Sequence, residues 1–191
     1  MSILRLLPLT LAAAAVAACG SGNDRTGDTP ADTTAPPVTD ATTPDAGDAL
    51  RNAQGGSVGQ VTVTPQSDGG LLVAVSVSGM PAGTYGTHIH EKGLCDAPAF
   101  TTAGDHWNPT NRQHGRLNPE GAHHGDLPNL TVGQDGAGSL SFALPSAEAG
   151  GAGLFDTDGA ALVVHAQRDD ERTNPSGNSG DRIACAVLTQ R

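Results

Sequence analysis

Apolar and polar residues alternate along several short stretches of the chain. Val58, Val61 and Val63 stand among Gly, Gln and Thr, and LLVAVSVSG (71–79) alternates after the turn signal SDGG (67–70). A period of two residues on both sides of a turn predicts a β-hairpin. Four more stretches favour strands: GTHIH (86–90), SLSFAL (139–144), ALVVH (161–165) and RIACAVLTQ (182–190). No long segment has the 3.6-residue period of a helix, so the pattern predicts an all-β fold, a sandwich or flattened barrel.

Two long stretches interrupt this pattern. Residues 91–130 show little alternation and are rich in Gly, Pro, Asn and His, while residues 166–181 are polar or small throughout. Loops longer than about 12–15 residues are uncommon in compact domains unless they are functional or disordered. We therefore expect two functional loops on the β scaffold.

The N-terminal stretch MSILRLLPLTLAAAAVAAC has one Arg, then an apolar run, then small residues. This order predicts a secretory signal peptide over residues 1–18. It ends in Val16-Ala17-Ala18-Cys19, which resembles the lipobox of bacterial lipoproteins and implies a lipid on Cys19. The alternative is an ordinary signal peptide with an incidental cysteine.

Residues 19–46 contain mainly Thr, Pro, Asp, Ala and Gly. Such a segment cannot bury enough apolar surface to offset its ordering entropy, so we expect a disordered tether before a domain at residues 47–191. The resulting prediction is an exported protein, lipid-anchored to the cell envelope on its periplasmic or cell-surface side.

The chain has 20 acidic and 10 basic residues, for a formal net charge of -10. Phosphate backbones are bound by basic surfaces, so this balance argues against nucleic acid as a partner. An acidic chain acting on a small anion would instead depend on the local field within a cleft.

Histidines are concentrated around the first long loop. His88 and His90 immediately precede it and share one face of a predicted strand, because side chains alternate along a strand. His165 ends another predicted strand at the start of the second loop. The loop itself carries four more histidines and a nearby carboxylate: His106, His114, His123, His124 and Asp126. Imidazole suits copper and zinc, so the cluster predicts a metal site.

The motifs around these histidines resemble those of the bacterial copper/zinc superoxide dismutases. The matching pieces, in order, are GTHIHEKGLC (86–95), AGDHWNP (103–109), HHGDLPNL (123–130), VVH (163–165) and GNSGDRIAC (177–185). The resemblance implies a Greek-key β-sandwich or flattened eight-stranded barrel with two long loops. It also implies conversion of superoxide to oxygen and hydrogen peroxide by one-electron cycling of a His-bound copper, with a bridged zinc.

Carried over residue by residue, the resemblance assigns two ligand sets that share His106. The implied copper ligands are His88, His90, His106 and His165. The implied zinc ligands are His106, His114, His123 and Asp126. The family places its zinc histidine three residues before the aspartate, which selects His123 over His124.

The resemblance also gives roles to four further residues. Arg182 would dock the anion beside copper, although a strand-start residue paired with Asp181 is the alternative. Asp169 would join His88 and His114 by hydrogen bonds, or else be a solvated loop acid. Cys95 and Cys185 would form a disulfide, with Cys19 taken by lipid.

The sequence leaves three functions in competition. The first is an anchored superoxide dismutase, and the second is a non-enzymatic copper-binding or chaperone-like domain of the same fold. The third is a zinc hydrolase, which needs an open zinc position that a four-ligand set does not leave. The substrate-steering bases stay open among Lys92, Arg168 and Arg172, and a homodimer is one oligomeric state that the sequence allows.

Overall fold

The computed structural model describes residues 48–146 and 153–189. The described residues form nine β-strands and a short 3-10 helix at Thr101–Ala103. The strands are β1 (Asp48–Asn52), β2 (Ser57–Pro65), β3 (Leu71–Val77), β4 (Gly83–Tyr85), β5 (Thr87–His90), β6 (Leu130–Val132), β7 (Gly138–Leu144), β8 (Ala161–His165) and β9 (Arg182–Val187). The predicted signal peptide, lipidated Cys19 and tether lie outside the described residues.

The nine strands form one antiparallel sheet in the order β4-β6-β7-β3-β2-β1-β9-β8-β5. The two edge strands, β4 and β5, follow each other in the chain with only Gly86 between them. The sheet therefore closes nearly completely into a barrel through one interrupted strand. β3 lies beside β7, and β7 leads through β6 to β4, which is the Greek-key arrangement. The predicted all-β Greek-key barrel is confirmed.

Gly86 explains why nine strands are present where eight were expected. Its N–H donates to the carbonyl oxygen of Gln167 at 2.8 Å, outside the barrel ladder. A Cβ at this position would lie 2.8 Å from the Cβ of Ser179, too close for any other side chain. Gly86 therefore contacts the second loop at the point where the strand changes its partner from β6 to β8, while its carbonyl oxygen accepts from the backbone N–H of His165 at 2.8 Å.

Each of the predicted strands is present within the described residues. Three strands were not predicted, namely β1, β4 and β6, which have five, three and three residues. With three residues each, β4 and β6 are too short to show alternation in their sequence.

The barrel interior is filled by alternate residues of the strands, mostly valine and leucine. Val61 and Val63 of β2 and Val73 and Val75 of β3 are buried against one another. A second apolar cluster lies outside the barrel, where Phe100 and other residues of the first loop cover β8 and β9. Its buried members are Phe100, Ala103, Ala161, Val163 and Cys185.

The predicted disulfide between Cys95 and Cys185 is present and fixes this covering segment to β9. It joins residues 90 positions apart in sequence, with their Cα atoms separated by 5.7 Å. The start of the first loop is thereby attached to the strand that begins with Arg182. Within the described ranges, no helical segment has the length and hydropathy that crossing a membrane would require.

Candidate metal centre

β5 presents two histidines on its outer face. All four of its residues are buried, because Ile89 packs into the barrel core while the long loops cover His88 and His90. His165 at the end of β8 and His106 of the first loop complete the group, with His106 held to His90 by an isolated β-bridge. One ligand atom from each of these four side chains lies within 4.8 Å of the others.

Hydrogen bonds fix which ring nitrogen of each strand histidine faces the group. His90 Nδ1 donates to Gly104 O at 2.9 Å and His165 Nδ1 to Gly180 O at 3.0 Å, since a carbonyl oxygen only accepts. His88 Nε2 donates in the same way to Asp169 Oδ2 at 2.7 Å. The opposite nitrogen of each neutral ring then carries a lone pair.

Four buried ring nitrogens of this group are without a hydrogen-bond partner within the described ranges. They are His88 Nδ1, His90 Nε2, His106 Nε2 and His165 Nε2. An unsatisfied buried acceptor is costly, and four of them at one point constitute a donor set for a cation that binds imidazole. We refer to these four residues as the first group.

Burial keeps the first group neutral. Desolvation lowers the pKa of His88 to about 3, of His90 to about 2 and of His165 to about 4. It also lowers the pKa of His106, against the opposing effect of Asp126. An imidazole must be unprotonated to bind a metal ion. Because these pKa values are low, the rings are already unprotonated at neutral pH, before any metal binds.

Three histidines converge on one oxygen atom of Asp126. Asp126 Oδ1 lies 3.0 Å from His106 Nδ1, 3.0 Å from His114 Nδ1 and 3.2 Å from His123 Nδ1. Its other oxygen accepts from the backbone N–H groups of Gly115 at 2.8 Å and His123 at 3.0 Å, which fixes the carboxylate orientation. We refer to these four residues as the second group.

His88 also lies within 4.8 Å of ligand atoms from His106, His114 and Asp126. We assign His123 rather than His88 to the second group for two reasons. His88 Nε2 is already bonded to Asp169, and His123 Nδ1 is close to both Asp126 Oδ1 and, at 3.3 Å, His106 Nδ1.

In the second group, the pKa of His114 is shifted in the opposite direction to the pKa values of the first group. Burial lowers the pKa of His114, but hydrogen bonds to Asp126 and Asp169 outweigh it and raise the pKa to about 9. Burial raises the pKa of Asp126, and hydrogen bonds from the three histidines reverse this and hold it well below the usual range.

Asp169 connects the two groups. One oxygen accepts from His88 Nε2, and the other lies 3.0 Å from His114 Nε2. The residue is 2% exposed, so the alternative of a solvated loop acid is wrong.

Arg182 forms part of the wall of a cleft of ≈ 1040 Å³ that His90, His106 and His165 also line. Its guanidinium donates to Phe100 O and to Gly104 O, both at 2.8 Å. The described residues show no ion pair between Arg182 and Asp181, the alternative that the sequence left open. The remaining donors of a half-buried cation are thus available to an anion in the cavity.

His124 lies outside both groups. It is half-buried, its Nε2 is 3.3 Å from Thr110 Oγ1 and its ring packs edge-on against Trp107. The two adjacent histidines therefore point to different surroundings, and only His123 reaches Asp126.

The sequence profile of a family described as copper/zinc superoxide dismutase (SODC) matches residues 57–188. The chain belongs to this family. A Caulobacter vibrioides protein named "Superoxide dismutase [Cu-Zn]" is 39% identical over 144 residues, which cover 73% of this chain and 82% of that protein. A Bacillus subtilis protein named "Superoxide dismutase-like protein YojM" is 43% identical over 143 residues, which cover 73% of each chain.

Solved structures of the family agree with this fold. The crystal structure of a SOD-like protein from Bacillus subtilis superimposes with a TM-score of 0.68 at 42% identity, covering 74% of this chain and 97% of that one. The Cu/Zn superoxide dismutase from Brucella abortus superimposes with a TM-score of 0.58 at 29% identity, with the same coverage of both chains.

The sequence alone did not indicate the carbonyl oxygens that hold the site. Gly104 O and Phe100 O orient Arg182, and Gly180 O sets the tautomer of His165. Every residue has a carbonyl oxygen, so no side-chain pattern marks those that serve a site in this family.

Proposed function

We propose that this chain is a superoxide dismutase that carries copper in the first group and zinc in the second. The observation that carries the proposal is the convergence of four buried, unpartnered imidazole nitrogens beside the cavity that Arg182 lines. The reaction consumes two superoxide ions and two protons and yields one oxygen and one hydrogen peroxide.

The donor chemistry of the first group fits copper. It offers four imidazoles and no carboxylate, and imidazole is a preferred ligand of copper. When bound, copper supplies the one-electron redox chemistry that the d¹⁰ zinc ion lacks. The hydrogen bonds of His90, His165 and His88 keep their lone pairs directed at the group.

The geometry of the second group fits zinc. Its three nitrogens lie 3.0–3.2 Å from Asp126 Oδ1, and His106 Nδ1 lies 3.3 Å from His123 Nδ1. A tetrahedron with metal–ligand distances of about 2.0–2.1 Å has edges of about 3.3 Å. Four such ligands close the site, which argues against a zinc hydrolase with an open position.

His106 is the side chain that both groups share. Its Nδ1 contacts Asp126, while its unpartnered Nε2 faces the first group and its ring lines the cavity. We infer that Nε2 takes up a proton and returns it to the departing peroxide during the reaction. Arg182 attracts and orients the anion, because its charge is held at the cavity wall by two carbonyl oxygens.

The Bacillus subtilis relative is named only as superoxide dismutase-like, so a non-enzymatic copper-binding domain is the second candidate function. A solved double mutant of that Bacillus subtilis protein replaces a tyrosine and a proline by histidine. The two positions have the same spacing as His90 and His106, the only two histidines of this chain with that separation. This chain naturally carries histidine at both, which supports the enzyme over the non-enzymatic domain.

The test combines metal analysis with a superoxide assay on the purified chain reconstituted with copper and zinc. We expect about one of each metal per chain and rapid superoxide removal, which chelation abolishes and copper restores. Full copper and zinc occupancy without activity would favour the copper-binding domain. A purified chain that binds neither copper nor zinc would overturn both the enzyme and the copper-binding domain.

We also propose export and anchoring through Cys19, supported by the signal-like residues 1–18 and the run Val16-Ala17-Ala18-Cys19. In a bacterial host, the wild-type chain should partition with membranes and be released by detergent. Cys19→Ala should appear in the soluble fraction, and its retention in membranes would contradict the anchor. The homodimer stays a prediction.

A further inference from the structure

Asp169 belongs to a long loop but must hold a fixed position. It lies four residues beyond His165, within residues 166–181, where no strand orders the backbone. Its carboxylate nevertheless meets His88 Nε2 and His114 Nε2 and also accepts from the backbone N–H of Glu171. Something other than a strand partner has to fix its backbone.

The side chain of Asn129 does so with two hydrogen bonds. Its Nδ2 donates to Asp169 O at 3.0 Å, and its Oδ1 accepts from Asp169 N at 2.8 Å. A side-chain amide thus pairs with both backbone groups of one residue, as a neighbouring strand would. The same Nδ2 also lies 3.2 Å from Glu171 Oε1, so the amide contacts both ends of the turn that holds Asp169.

Asn129 is itself held by the core. It lies three residues after Asp126, between Leu127 and Leu130, which are 1% and 0% exposed. One short segment therefore carries both a carboxylate of the second group and the amide that fixes Asp169. The two carboxylates that contact His114 are positioned by the same few residues.

We propose that Asn129 is a positioning residue that sets the retention of zinc by fixing Asp169, an inference that rests on the proposed function. Without the amide, the Asp169 backbone is free to turn, and its carboxylate no longer holds His88 and His114 together. The rings then lose the hydrogen bond that orients them, which weakens the metal sites without removing any ligand.

The test measures zinc release from the full chain into an excess of a chromophoric chelator. Asn129→Ala should release zinc about 10-fold faster, because partners that orient metal ligands contribute about 10–100-fold in affinity. Asn108→Ala is the matched control. Its amide makes the same pair of bonds, at 2.9 Å each, to the backbone of Arg112 in the first loop, away from Asp169.

A double-mutant comparison separates positioning from general loosening. If Asn129 acts through Asp169, then Asn129→Ala should add little to the zinc release rate of Asp169→Asn. Equal release by the Asn129→Ala and Asn108→Ala proteins, or a full additional effect in the Asp169→Asn background, would overturn the proposal. Asn129→Ser, too short to reach both backbone groups, serves if the Ala variant does not fold.

Cobalt placed in the second group gives a readout that does not depend on activity. Asn129→Ala should shift the visible cobalt bands, because His114 changes its orientation, and Asn108→Ala should not. An unshifted spectrum together with normal zinc release would contradict the positioning role of Asn129 but not the proposed function. Absence of cobalt and zinc binding in the wild-type chain would instead count against the proposed function.

Discussion

Arg182 and His90 share one hydrogen-bond acceptor. Arg182 Nη2 donates to Gly104 O at 2.8 Å, and the same oxygen lies 2.9 Å from His90 Nδ1. One backbone carbonyl oxygen therefore positions both Arg182 at the cavity wall and His90 of the first group. That atom belongs to the segment that the Cys95–Cys185 disulfide holds against β9.

Substitution of Arg182 should separate anion docking from metal binding. Arg182→Ala should keep both metals and a near-normal copper spectrum, because guanidinium has no lone pair to offer a metal. Its kcat/KM for superoxide should fall roughly 10-fold or more with the loss of the positive charge. Arg182→Lys should lie between wild type and Ala, and Arg182→Glu below Ala. Full activity in a metal-replete Arg182→Glu protein would remove this role.

Loss of the disulfide should act on stability and on Arg182 together. A bridge that closes a 90-residue separation contributes about 4–5 kcal/mol to the free energy of unfolding in the chain-entropy model. Cys95→Ser/Cys185→Ser should therefore unfold at lower urea concentration. It should also lose activity at full metal content, because the segment carrying Phe100 O and Gly104 O is no longer fixed. Unchanged activity in folded, metal-replete protein would show that the apolar cluster alone holds the segment.

The sequence predicted the barrel and the histidine clusters because both leave periodic or compositional marks. The alternation in β2 and β3 is explicit, and His88 and His90 occupy alternate positions of β5. The strand break at Gly86 left no such mark, since it depends on contact with Gln167 and Ser179 from a distant loop. The role of Asn129 is hidden for the same reason, because it depends on a residue 40 positions away.

The metal-free protein should lose stability in acid. The folded-state pKa values of His88, His90 and His165 are about 3, 2 and 4, against 6.5 in the unfolded chain. Below pH 6.5 the unfolded state therefore binds more protons, and the free energy of unfolding falls as pH drops toward 4. His114, raised to about 9, contributes stability that is present below pH 6.5 and is lost as pH rises through 9. Stability should be greatest near neutral pH.

Urea denaturation of the chelator-treated protein at pH 4.5–8 checks this profile. Below pH 6.5, the free energy of unfolding should change less steeply with pH in His165→Gln than in wild type, by about 1 kcal/mol per pH unit. The reason is that one fewer proton is taken up on unfolding. An identical slope in wild type and His165→Gln would show that this ring is not the group that resists protonation.

Lys92 is the candidate for steering the substrate that the structure favours. It lines the cavity together with His90 and Arg182, whereas Arg168 and Arg172 do not. At low ionic strength, Lys92→Glu should lower kcat/KM roughly 3- to 10-fold. Added salt should make kcat/KM of the variant and of wild type more alike, because it screens the field of the side chain. Arg168→Glu is the control, because it makes the same change in net charge on an exposed residue outside the cavity. Equal losses in the two variants would indicate an effect of net charge alone.

The adjacent histidines at positions 123 and 124 offer a direct test of the second group. His123 Nδ1 lies 3.2 Å from Asp126 Oδ1, while His124 Nε2 lies 3.3 Å from Thr110 Oγ1. His123→Ala should therefore lower zinc occupancy and weaken zinc affinity by at least about 10-fold, because it removes a ligand. His124→Ala should leave zinc occupancy unchanged and cost only the packing of its ring against Trp107. Zinc content by mass spectrometry after equilibration with a graded chelator distinguishes the two variants. A zinc loss confined to His124→Ala would shift the ligand set by one residue and contradict the assignment of His123.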